Sequence, residues 1–460
     1  MAILTGMPTD KLNLDYLPGH IELLLQSEDY EAVEKLLKSF RPEDMADVLL
    51  KLSRQHIRGI LEQIDVELAS ELIECFDDVY WNELLSPLSQ ERLLAILKNL
   101  APDDAADLLE ELDEEVRNEL LVLSAKQPDL ASVRALLLYP EKTAGAIMNP
   151  DIVLVPQYLD VDHALNTIRQ NIDLFQDISA LFVTNLQGQL TGSLDLAALI
   201  SAPPKTRLRD IMDKDFIAVD VLMDEDDVVD VVRKYEMTTV PVVDSQGMLM
   251  GLITIDDIID VIEEQADEDA YKMAAMPEPD SQDSAFRSAL VRIPWLLICL
   301  GGSLSAGTII HLFERTLAEA IVLAAFMPAI MGMAGNTGVQ TATLVIRNMT
   351  DRPSLRSYLW KLVLREFRTA FFIGLTCGTL AGLMAWLGFR ANPLMGLVIG
   401  FSLFLSIVSS TFLGTSIPYL FQRMSIDPAV ASGPFVTTIN DSTALIIYLS
   451  IASFALSYLH

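Results

Sequence analysis

The sequence predicts a multidomain membrane protein. Its order is an α-helical acidic domain facing the cytoplasm (1–140), an α/β domain made of two similar copies (141–263), a linking helix with its connector (264–292, the helix beginning near 256) and a transmembrane domain of five helices (293–460). Three observations predict it. Charge and apolar residues are segregated: the 460-residue chain is 51% hydrophobic with a formal charge of −32. Residues 1–292 hold 23 Lys and Arg against 58 Asp and Glu, a balance of −35, whereas residues 293–460 hold 9 against 6, a balance of +3. Two internal duplications occupy the acidic part. The remainder contains five apolar runs long enough to cross a bilayer, each needing about 20 residues. An acidic soluble part repels phosphate and excludes nucleic acid as a partner; cations are its natural counterparts.

Residues 20–140 read as short helices. Pro42-Glu43-Asp44-Met45-Ala46-Asp47 and Pro102-Asp103-Asp104-Ala105-Ala106-Asp107 each lead into a leucine-rich run. Proline at a first helical position lacks only a donor that would be orphaned, and acids there meet the positive end of the helix dipole. A second copy sixty residues on predicts a stacked-helix array. Cys75, Cys299 and Cys377 have no ligand-like spacing, which fits a reducing compartment. The first twenty residues carry Asp10, Lys11 and Asp15 and no apolar core, so no signal peptide is expected and the soluble part is expected in the cytoplasm.

The second duplication spans 143–263. Ile147-Met148-Asn149-Pro150-Asp151 aligns with Ile211-Met212-Asp213-Lys214-Asp215, and the stretch Val183 to Gly192 aligns with Val242 to Gly251. Each copy reads as short strand, amphipathic helix, buried strand, glycine turn, strand and helix. On Thr238-Thr239-Val240-Pro241-Val242-Val243-Asp244 and Gly251-Leu252-Ile253-Thr254-Ile255-Asp256-Asp257 this layout resembles a pair of CBS modules. That resemblance implies an adenine nucleotide, ATP, held by the Thr254 hydroxyl and the Asp257 carboxylate. The first copy has Asp195 and Ala198 at the matching places, so at most one such site is complete.

From Asp256 to Glu268 the chain reads as one acidic helix, with Asp256, Asp260, Glu263 and Asp267 on a single face. Like charges three and four apart destabilise an isolated helix, so this face favours a cation or a basic neighbour.

The five spans are expected near 293–313, 317–346, 361–388, 393–422 and 428–459. With the acidic part inside, the inner flanks hold nine basic residues (Arg287, Arg292, Arg347, Arg352, Arg356, Lys361, Arg365, Arg368 and Arg423) and the outer loops two, Arg315 and Arg390. The bias places the N terminus inside and the C terminus outside a multi-pass cell (inner) membrane protein. Ionisable groups in the hydrocarbon are costly and functional. Asp441 lies well inside the fifth span, after Gly433-Pro434, which should loosen the helix and free backbone carbonyls near Thr437. Oxygen-only surroundings suit a hard cation. The run Gly332 to Thr343 in the second span is rich in small and polar residues, which fits backbone lining a cavity or close helix contacts.

An acidic helical domain, a CBS pair, a linking helix and five spans, in this order, resemble the MgtE family of magnesium channels across nearly the whole chain. The most specific marks are Gly335-Asn336-Thr337-Gly338, Asp427-Pro428-Ala429 and Thr437-Thr438-Ile439-Asn440-Asp441. The resemblance implies a homodimer with a pore between the membrane halves, and Asp441 from both subunits holding a largely hydrated Mg2+ beside the Thr437 carbonyl. Asn336, Thr337, Gly338, Gly433 and Asn440 are expected to line that pore, and Asp427 to assist at its inner mouth or join a gate site. It further implies that cytoplasmic Mg2+ locks a closed state, with the linking helix as a plug. The matching carboxylates are Glu71, Asp103 and Asp107; Asp224, Asp226 and Glu236; and Asp257, Asp260, Glu263, Glu268 and Asp269. Val339, Ala334, Ser442-Thr443-Ala444 and Gln265 depart from the family pattern.

Composition alone reaches only an acidic, cation-linked membrane protein; magnesium comes from the resemblance. A carrier of other divalent metals, cobalt or manganese, would use the same scaffold, but no His or Cys surrounds Asp441. A nucleotide-sensing membrane receptor would have no use for Asp441. An enzyme is not expected, since no nucleophile–base pairing or P-loop is present and His311 and His460 are the only histidines after residue 292.

Overall fold

The computed structural model describes residues 14–171, 180–274, 276, 285–350, 356–424, 426–428 and 433–457, with side chains left aside at 350 and 356–359. The readings that involve Asp10, Lys11, Arg352, Ala429 and His460, and the middle of the connector, lie outside them. The chain divides into two compact units at Glu264/Gln265.

The first unit opens with α1 (Leu17–Gln26), α2 (Tyr30–Leu37), α3 (Pro42–Leu49), α4 (Arg54–Gln63), α5 (Val66–Glu74), α6 (Trp81–Leu85), α7 (Gln90–Leu97), α8 (Pro102–Glu111), α9 (Glu114–Ser124) and α10 (Ala131–Leu136). Pro42 and Pro102 each take the first position of their helix, with acids in the first turn. Helices pack on those two places along, α3 on α5, α5 on α7 and α7 on α9, with α4, α6, α8 and α10 as the other row. The seam between rows is apolar: Met45, Leu49, Ile57, Leu72 and Leu84 are fully buried. Arg92 from α7 donates to the Leu61 and Ile64 carbonyls at 2.7 and 2.6 Å, capping the end of α4. Those carbonyls would otherwise be orphaned at a helix terminus.

The α/β part follows: β1 (Val155–Pro156), α11 (Val161–Gln170), β2 (Ala180–Thr184), β3 (Leu190–Asp195) and α12 (Leu196–Ser201); then α13 (Leu208–Ile211), β4 (Val219–Asp220), α14 (Glu225–Tyr235), β5 (Thr239–Val243), β6 (Leu249–Thr254) and α15 (Ile255–Met273). Each copy makes a three-stranded sheet, its short strand parallel to the middle one and the last antiparallel, with a register shift at the same place, Val183/Thr184 and Val242/Val243. The copies are also interlocked. Asn149, near the start of the first copy, pairs with Leu252 of β6, and Asp213, near the start of the second, pairs with Ser193 of β3. Gly192 and Gly251 permit this crossing: a Cβ on Gly251 would lie 2.7 Å from the Asn149 carbonyl, and one on Gly192 2.6 Å from that of Asp213.

The second unit contains α16 (Ala285–Leu312), α17 (Glu314–Glu319), α18 (Val322–Thr350), α19 (Arg356–Leu383) with a closing π-helical turn at Met384–Gly388, α20 (Pro393–Arg423) and α21 (Pro434–Ser457). Among the described residues five helices are long and apolar enough to cross a membrane. The boundaries differ from the expected ones in two instructive places. The second span begins at Val322 because α17 is a separate short helix. The fifth begins at Pro434, so Gly433-Pro434 start a helix rather than loosen one; proline suits a first turn, where its missing donor costs nothing. α18, α20 and α21 form the core, where the Tyr448 hydroxyl donates to the Leu323 carbonyl at 2.9 Å.

Candidate functional site

Asp441 stands on α21 one turn after Thr437, half-buried, facing α18. The approach depends on Gly335: a Cβ there would lie 3.1 Å from the Asp441 carboxylate and 3.5 Å from the Thr437 methyl. Thr437 is fastened into the first turn, its N–H and hydroxyl both donating to the Gly433 carbonyl at 3.2 and 3.1 Å. The Gly433 carbonyl is therefore satisfied within the first turn, and the loosening expected there is not seen among the described residues. Among the residues expected to line a pore, Asn336 is exposed and Gly433 half-exposed, whereas Thr337, Gly338 and Asn440 are buried within the chain. Consecutive helical residues point about 100° apart, so Asn336, Thr337 and Gly338 cannot share one face. Asn440, 1% exposed, sits against Gly338, and the Ser410 hydroxyl beside it donates to the Ala334 carbonyl. α18 stays helical throughout the small-residue run, which serves close helix contact rather than an unwound lining.

Ahead of α21, Asp427 forms an ion pair with Lys272 at 3.0 Å, and Lys272 also reaches Glu268 at 3.2 Å. Burial raises the Asp269 carboxyl above its ordinary value, and the nearby Asp427 charge adds to this. The Met273 carbonyl would lie 2.7 Å from a Cβ on Gly433, so the tip of α15 abuts the start of α21. Sequence reasoning named Glu268, Asp269 and Asp427 and missed Lys272; its signal is a lone lysine four residues after a glutamate in an acidic helix.

The beginning of α15 belongs to a different cluster. Burial pushes Asp103 up to about 8, with the Asp104 and Asp257 charges adding. It pushes Asp257 up to about 7 against the stabilising hydrogen bonds from Thr254. Asp104 is likewise held at about 7, by burial and then Glu74, Asp256 and Asp260. Asp107 rises to about 8 by loss of solvent in the same recess, although water still reaches its outer edge and screens it. The Asn149 amide donates to Asp103 at 3.2 Å. Asp260 and Glu263 are exposed, as is Glu71 on α5. Asp78 faces the same recess, its carboxyl pushed up to about 6 by burial and then the Asp77 and Asp260 charges, and it and Asp104 are the members that sequence reasoning missed. Among the described residues no three acidic, His or Cys side chains converge closely enough to grip a bare ion.

Asp224, Asp226 and Glu236 are not brought together. Asp224 caps the start of α14, accepting from the Asp226 N–H at 3.1 Å, while Glu236 ends that helix with φ of 54°, roughly 18 Å away at 1.5 Å per residue. Glu225, in the same first turn, is pushed up to about 7 by burial and the nearby Glu264 charge, with Lys142 opposing. Glu236 lines a cavity of about 220 Å3 between the two copies, together with Phe182, Phe216, Met237 and Thr239. Thr254 and Asp257 are not among its walls: the Thr254 hydroxyl donates to Asp257 at 2.9 Å and also to Asp256.

Comparison with known proteins assigns these parts. Residues 40–142 match the MgtE intracellular N domain, 144–205 and 208–264 match CBS domains, and 327–451 match the MgtE family described as a divalent cation transporter. A protein of Bacillus subtilis named magnesium transporter MgtE is 37% identical over 331 residues, covering 72% of this chain and 73% of the relative. The chain belongs to the MgtE family. The like-named protein of Thermus thermophilus is 36% identical over 328 residues, covering 70% of this chain and 72% of the relative. In structure, the acidic part is similar to the cytosolic domain of the Mg2+ channel MgtE in complex with ATP, at a TM-score of 0.50 and 30% identity, covering 53% of this chain and 99% of that one. MgtE proteins are transporters, so this chain is a multi-pass membrane transporter and not an enzyme.

Proposed function

We propose that this MgtE protein is a magnesium channel that carries Mg2+ into the cell and is closed by Mg2+ bound to its cytoplasmic part. The observation that carries the reading is Asp441, a half-buried carboxylate inside the fifth apolar helix that faces Gly335 of α18. The relatives named magnesium transporters support the choice of ion. The pore lies between two copies of the chain, with Asp441 contributed by each; a hydrated Mg2+ between two carboxylates keeps the waters it releases reluctantly. Asn336, exposed on the same helix as Gly335, lines the path with Thr437 and Gly433. The basic flanks put the N terminus inside and the C terminus outside.

Closure draws on two carboxylate groups: Asp103, Asp104, Asp107 and Asp257, with Asp260 one turn further along α15 and Glu71 beside the Glu74 that faces Asp104, and Glu268 and Asp269 with Asp427. Without divalent ions such groups repel; with them the closed arrangement binds the ion more tightly, which is the condition for a population shift. Asp224, Asp226, Glu236 and Glu263 are exposed and stand outside both groups. The cavity walled by Phe182, Phe216 and Glu236 is the better seat for an adenine ring than the Thr254–Asp257 pair, whose hydroxyl and carboxylate satisfy each other.

The test is ion flux into vesicles carrying wild type or Asp441→Ala at low and high Mg2+ on the N-terminal side, with Co2+ and Mn2+ as alternative cargo. The expected result is flux that falls as that Mg2+ rises and is lost in the variant. Equal flux in both proteins would remove Asp441 from the pathway. Preferred passage of Co2+ or Mn2+ would reassign the cargo.

A further inference from the structure

Lys272 is a positive charge held among three negative ones. Its ammonium bridges Glu268, one turn earlier on α15, and Asp427, between α20 and α21, and Asp269 stands beside them. Its side chain is 32% exposed and that of Asp427 40%, so the pair is only partly screened by solvent. The Met273 carbonyl seated against Gly433 is an independent contact between the same two segments.

We propose that Lys272 is a built-in cationic latch that holds the tip of α15 against the start of α21 when no divalent ion is present. Three carboxylates alone would drive the two segments apart. The ammonium offsets part of that repulsion and so keeps part of the population closed on its own. A glutamate four residues before a lysine is also the favourable order along a helix, so α15 presents the ammonium already oriented.

The inference rests on the gating reading above, so the experiment separates the two. Full-length protein in vesicles is assayed with divalent ions chelated on the α15 side, comparing wild type, Lys272→Gln and Lys272→Arg. The latch predicts a flux about twofold to fivefold higher in Lys272→Gln, the size expected of a partly exposed ion pair, and wild-type flux in Lys272→Arg. In the same chelated membranes, carbodiimide should join the Lys272 amine to the Asp427 carboxyl as an amide with loss of water, read as a cross-linked peptide by mass spectrometry. Equal flux in Lys272→Gln, or no Lys272–Asp427 cross-link, overturns the latch. A wild type whose flux ignores added Mg2+ overturns the gating reading and leaves the cross-link and the chelated-flux comparison to judge the latch.

Discussion

Gly335 and Gly338 lie one turn apart on α18 and do different work for α21. A Cβ at Gly335 would come within 3.1 Å of the Asp441 carboxylate, a distance that a small side-chain shift relieves. Gly335→Ala is therefore expected to keep the fold and lower flux several-fold, measured as transport per folded protein, because it moves the carboxylate and little else. At Gly338 the added carbon would run into the Asn440 amide, which is buried and has no room to yield. Gly338→Ala should destabilise the helix bundle by about 1–3 kcal/mol, the usual cost of overpacking, and lower the thermal unfolding midpoint in detergent. The opposite ranking, with Gly335→Ala the less stable protein, would mean that the α18–α21 contact is not the one described.

At the scale of elements, the interlocking of the two sheets depends on Gly192 and Gly251. Gly251→Ala pushes a carbon against the Asn149 carbonyl, so amide exchange at Leu252 and Asn149 in the full-length protein should quicken while that of β5 changes less. Unchanged exchange at both amides would count against the crossing. Much of this level is legible in the sequence. The Pro-acid starts of α3 and α8 announce themselves, since proline and acids favour the same end of a helix. The order of strands is equally plain from the Val/Ile runs and glycine turns. The exchange of Asn149 and Asp213 between copies is not, because alignment of two repeats says what is alike and never which copy pairs with which. Gly433-Pro434 misleads for a related reason: the same dipeptide opens one helix or interrupts another, and only the preceding chain decides. Asp441 is legible because a carboxylate in an apolar run has few innocent explanations. Lys272 is hidden because one lysine among acids reads as solvation until Asp427 is brought to it.

For the whole molecule, the carboxyls of α8 and the start of α15 set a pH dependence. Asp103 is held at about 8 and Asp104 and Asp257 at about 7, all well above the ordinary 3.8. A raised carboxyl favours the protonated form in the folded state. Its contribution is present at low pH, and is lost as pH rises from the unfolded value near 4 through the folded values of 7 to 8. In chelator, full-length protein should therefore unfold at a lower temperature at pH 8 than at pH 6. Added Mg2+ should recover more of that loss at pH 8, where the carboxylates are ionised. A melting temperature that rises with pH in chelator would reverse the sign and refute the crowding. The crossing of the sheets has one more consequence, for where the chain can be cut. Because β3 is bridged by Asp213 of the second copy and β6 by Asn149 of the first, each sheet has an outer edge that is covered only by the other copy. A truncation between the copies would uncover the edge of β3 at Ser193, the kind of edge that invites aggregation.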